Sequence, residues 1–153
     1  PPSLAWGEGP EATVRGLNLT AVDNPTQWGI FRRWMLALGL ARRVEVGSAK
    51  VLVADATTAI ADQLWAMPGD APADKWLDEL RRRLPMLGAA TVLEQLPSVA
   101  NWSPLPPGVV LGLLKLEKLN RLSLEPSDDA SHVVPVGLGP NPRQVGRISV
   151  RRV

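Results

Sequence analysis

The sequence predicts a mainly α protein with small β-hairpins, built as winged helix-turn-helix units in tandem, one partial and one complete. A well-capped helical stretch beginning at Asn24 runs directly into a hairpin pattern at 43–54. A second passage from helix to hairpin spans Pro106 to Val136. Between Asp70 and Val136 the predicted order is helix, helix, helix, hairpin, a whole unit of that kind. The implied organisation is an N-terminal arm at 1–22, a partial unit at 23–67 and a complete unit with a C-terminal strand at 70–153.

The arm holds Trp6 and few regular periods; Trp6 reads as a plug at a core edge. In the next stretch Asn24 suits an N-cap, Pro25 the first helical position and Gln27 a capping box. Trp28, Ile30, Phe31, Trp34, Met35, Ala37 and Leu38 then share one broad apolar face, opposite Gly29, Arg32, Arg33 and Leu36. That face is expected to be buried against the following hairpin and the helix at 57–67. A Trp34→Ala change is accordingly expected to cost roughly 3–5 kcal/mol. Gly39 suits a left-handed cap with Leu40 folding back. Val44 and Val46 alternate with charged neighbours, Gly47-Ser48 turns, and Val51 and Val53 return.

Thr57 or Thr58 caps the helix to Met67, with Ile60, Leu64 and Trp65 inward, and Pro68-Gly69-Asp70 closes it. Asp70 or Ala71 opens a helix whose Trp76, Leu77, Leu80 and Leu84 lie at helical spacing. Arg81, Arg82 and Arg83 resemble a phosphate clamp, but a basic last turn also complements the helix dipole, and that reading is favoured. A short helix at Thr91–Leu96 ends at Pro97, and prolines lead into the helix from Pro106 to Leu119. Val109, Val110, Leu113 and Leu116 form its core face; Gly112, costing roughly 1 kcal/mol against Ala, marks a close helix contact. Asn120 follows as Gly39 does earlier, Leu122 and Leu124 alternate with polar residues, and Pro126 to Asp129 turns back to a strand at His132–Val136. Gly137–Pro142 is a loop, and Val145–Val153 a last strand.

Catalytic groups are scarce. His132 is the single histidine, on a wing strand, and reads as a surface residue. There is no cysteine, hence no disulfide framework or thiolate metal site. Phosphate-binding glycine loops, a nucleophile elbow and the acid-x-Lys pattern of nucleases are missing, and Asp128-Asp129 reads as a turn. No enzyme activity and no cofactor are expected. No apolar run approaches the ~20 residues of a membrane span, and no signal peptide is visible, so a cytoplasmic protein is expected. The chain opens Pro1-Pro2 without an initiator Met and reads as a piece of a longer protein.

Net charge is only +2, but it is unevenly placed. Residues 26–54 carry five cations against Glu45, a local +4; residues 55–79 carry six acids against Lys75, a local −5. The tail from Asn141 is basic. The candidate nucleic-acid contacts are therefore Gln27, Arg32, Arg33, Arg42, Arg43, Lys50, Lys115, Lys118, Arg143 and Arg147. The second candidate recognition helix offers only Lys115 and Lys118, so contact with double-stranded DNA is expected to be backbone-led. The competing expectation is a protein scaffold, marked by exposed Leu36 and Leu111.

The words Asn24-Pro25-Thr26-Gln27-Trp28 and Phe31-Arg32-Arg33-Trp34 lie in LNLTAVDNPTQWGIFRRWMLALGLA, followed later by LPPGVVLGLLKLEKLNRLSLEPSDDAS. Together they resemble the DpdG component of bacterial gene clusters that place deazaguanine bases in DNA and restrict unmodified DNA. The resemblance covers most of the chain and carries over no catalytic residue. It implies phage defence, the cytoplasm and a multiprotein, DNA-linked system, with other proteins of that complex as partners. The expected function is thus a non-catalytic winged-helix accessory module contacting DNA through its backbone; the alternative is an adaptor without DNA contact.

Overall fold

The computed structural model describes residues 24–88, 105–126 and 133–151. Its first helix, α1 (Pro25–Ala37), starts as its sequence dictates: the Asn24 carboxamide oxygen accepts from the amides of Thr26 at 3.1 Å and Gln27 at 3.0 Å. Gly39 ends it at φ 67°, and the Leu40 amide returns to the Met35 carbonyl at 2.9 Å. A Cβ on Gly39 would lie 2.8 Å from Thr58 Cβ, so glycine here also admits the next helix. Strands β1 (Ala41–Val46) and β2 (Ala49–Ala54) form the expected hairpin, with Val44 opposite Val51 and Gly47 turning at φ 61°.

After β2 the helix α2 is short, Thr57–Ala61, and is followed by a 3-10 turn at Leu64–Ala66. Tightening from the α to the 3-10 pitch shifts the side-chain phase. Leu64 and Met67 therefore face the core, and Trp65, expected inward, is 81% exposed. Asp70–Pro72 forms strand β3, not the expected helix start, and α3 runs from Ala73 to Arg83. Helix α4 (Pro107–Lys118) leads through left-handed Asn120 to β4 (Leu122–Glu125); β5 (Val134–Val136), β6 (Arg143–Val145) and β7 (Arg147–Val150) complete the described chain.

The pairing of these strands corrects the predicted fold class. Strand β4 does not form a hairpin with β5. It pairs antiparallel with β7, Leu124 opposite Ile148, while β7's other edge takes β3. Strand β5 pairs with β6 across the 137–142 loop, and Gly146 separates β6 from β7. Seven strands in three small antiparallel sheets accompany four α-helices among the described residues, so the molecule is not mainly α. The tandem winged-helix architecture, which rested on a second helix-to-hairpin passage, is not supported.

Buried residues from Leu40 to Ile148 make one apolar cluster. Its centre is the crossing of α2 and α4, where a Cβ on Gly112 would lie 3.0 Å from both Ile60 Cδ1 and the Thr57 nitrogen. The expected close contact is there. Trp76, Leu77 and Leu80 of α3 are buried in the same core, Trp76 Nε1 donating to the Pro68 carbonyl at 3.3 Å. The arm, the 91–96 helix, Asp128-Asp129 and His132 lie outside the described residues.

Candidate functional site

Of the ten polar residues expected at a nucleic-acid surface, four are held by carboxylates: Arg42, Lys115, Arg143 and Arg147. Arg42 Nε and Lys115 Nζ both reach Asp55 Oδ2, at 2.9 and 2.6 Å, across 60 residues of sequence in the case of Lys115. Asp55 is buried, and its other oxygen accepts from the Thr57 amide at 3.0 Å and from the Thr57 hydroxyl. Burial pushes the Asp55 carboxyl up, but hydrogen bonds from Lys115 and Thr57 outweigh it and hold the pKa below its ordinary value. Asp55, and not Thr57 or Thr58, thus anchors the start of α2.

Arg143 Nη2 binds Glu117 Oε2 at 2.7 Å, and Glu117 also accepts the Leu124 amide at 3.2 Å. Arg147 forms a two-pronged pair with Asp70, which Ser149 Oγ joins at 2.8 Å. The Arg147 guanidinium holds the Asp70 carboxyl below its usual range. Gln27 and Arg32 are half-buried on α1. Arg33, Arg43, Lys50 and Lys118 are exposed, and no carboxylate among the described residues pairs with them. The triple Arg81, Arg82, Arg83 turns to acids of its own helix, Asp78 at 3.3 Å and Glu79 at 2.7 and 2.6 Å.

The apolar face of α1 has a different fate from the one expected. Only Trp28 is buried, its ring stacked with Phe31 at 5.6 Å between centroids. Ile30 is 50% exposed, Trp34 61% and Leu38 47%. The reason lies in the partner: α2 sends Ile60 into the crossing with α4 and meets α1 only at its end, where Thr58 and Ala59 lie against Gly39, so the outer line of α1 stays uncovered. Ile30, Trp34 and Leu38 recur every four residues and form one line along the helix, with exposed Ala37 beside it and Arg33 on its flank. Leu36 and Leu111, expected to mark a protein surface, are half-buried. Counting apolar positions finds this face; nothing in the count says which part of it a neighbour covers.

A concavity of 530 Å³ opens between the start of α4 (Leu105, Pro107, Val110) and the 137–142 loop (Leu138, Pro140, Pro142). Its described lining brings no acid, base or nucleophile. Among the described residues no three His, Cys, Asp or Glu side chains are grouped to hold a metal ion, and no helix is long and apolar enough to cross a membrane.

Against known proteins, residues 3–130 match a family model described as DpdG-like. No curated protein and no solved structure matches the chain.

Proposed function

The chain belongs to the DpdG-like family, which associates it with a DNA-modification system, and from that premise we propose that it is a non-catalytic adaptor docking another protein of such a system. The observation that carries this reading is the uncovered Ile30–Trp34–Leu38 line on α1. A half-exposed indole between two aliphatic anchors is the usual composition of a protein-docking helix. In a system that protects and restricts DNA, such an adaptor would bring a partner to the DNA.

The test is co-purification of the chain with the other proteins of its own gene cluster. Capture of one of them, unaffected by nuclease and lost on Ile30→Asp with Trp34→Asp, supports docking. Both positions are exposed, so the substitutions leave the core intact. Capture that vanishes with nuclease, or survives both substitutions, overturns it.

A second reading, direct contact with the DNA backbone, is favoured by the four exposed cations Arg33, Arg43, Lys50 and Lys118. Four phosphates neutralised give a slope of log affinity against log salt no steeper than about −3.6. Duplex binding with a slope near that value, flattened by Arg33→Glu with Arg43→Glu, supports this contact. No binding at low salt discards it.

A further inference from the structure

We infer that the α1 line takes an acidic amphipathic helix of the partner protein, an inference that rests on the docking reading above. The spacing of the apolar anchors suits a helix. Ile30, Trp34 and Leu38 advance by two fourfold steps, about 12 Å of helix axis, which matches the anchor spacing of a second helix laid alongside. A surface that reads such a helix needs large apolar anchors in line and nothing charged between them, which is what stands there.

The charge around the line suits an acidic one. Helix α1 contains no acid, and the segment 24–54 sets five cations against Glu45 alone. Glu45 sits opposite Lys50 in the hairpin, and Arg42 is held by Asp55. Of the others, Arg33 is exposed, one turn from both Ile30 and Ala37 on the border of the line. A partner helix flanked by carboxylates meets this border favourably, and a basic or neutral one does not. The same charge disfavours a second copy of this chain, because α1 against α1 brings Arg33 towards Arg33 with no carboxylate on either helix. A single-stranded nucleic acid finds one stacking face at Trp34, while Ile30 and Leu38 on either side offer none.

The experiment uses the full chain and a labelled synthetic amphipathic peptide with a leucine stripe flanked by glutamates, beside the same peptide with glutamines in their place. Binding is read by fluorescence anisotropy at low and high salt. The glutamate peptide should bind at least about tenfold tighter at low salt and lose that margin at high salt. Trp34→Ala should weaken both peptides by about tenfold or more, and Arg33→Glu should abolish the preference for glutamate. Both variants should keep the wild-type melting profile, which separates lost docking from lost folding. Equal binding of the two peptides, still dependent on Trp34, overturns the acidic partner and leaves docking standing. Binding of neither peptide, or binding indifferent to Trp34, overturns both. Tighter Trp34-dependent binding to phosphatidylserine vesicles or to an oligothymidine strand overturns the inference in favour of that ligand.

Discussion

Asp55 ties the hairpin to α4 through Arg42 and Lys115, a junction that no local pattern announces. Asp55 is 4% exposed, so removal of its charge leaves the half-buried Lys115 ammonium without its counter-charge. Asp55→Asn should therefore cost about 2–3 kcal/mol in urea unfolding at neutral pH. The folded-state pKa lies below 3.8, so this stabilisation is present above that pH and fades as the pH falls through the depressed value. The gap between wild type and Asp55→Asn should narrow in acid; a gap independent of pH would show that the junction is not ionic. The two tryptophans of α1 make a second contrast. Trp28→Ala should cost roughly 3–5 kcal/mol. Trp34→Ala, on the exposed line, should cost under about 1 kcal/mol. Equal losses in thermal melts would mean that Trp34 is covered after all.

At the scale of elements, local chemistry was legible and pairing was not. Asn24-Pro25 opens α1, Gly39 closes it, Gly47 turns the hairpin and Asn120 ends α4, each through a backbone or capping requirement set within a few residues. Gly39→Ala should cost about 2 kcal/mol, because a left-handed alanine is strained and its methyl would press on Thr58. A smaller loss would show that α2 can move aside. Strand β4 is a different case. Leu122 and Leu124 alternate equally well for a nearby or a distant partner, and the nearest strand in sequence is not the one that pairs. Contacts between Leu124 and Ile148 in nuclear Overhauser spectra are expected; contacts between Leu124 and Val134 would restore the hairpin.

For the whole molecule, periodicity finds apolar faces but cannot rank their neighbours. Ile60 was legible as core from spacing alone, yet that α2 would meet α4 through Gly112 and leave the Ile30–Trp34–Leu38 line of α1 uncovered is a property of the assembled fold. The candidate cations suffered similarly. Asp55, Glu117 and Asp70 stand far along the sequence from most of the cations they hold, so Arg42, Lys115, Arg143 and Arg147 could be counted as basic but not as already engaged. Outward on α1 stands an aliphatic and indole line bordered by positive charge. A photo-crosslinking phenylalanine analogue in place of Trp34, irradiated in cells that carry the chain's own gene cluster, tests that surface most directly. A covalent adduct with one protein of the cluster is expected, untouched by nuclease and absent when the analogue stands at exposed Arg82 on α3. Adducts with DNA at position 34, or equal protein adducts at both positions, would contradict it.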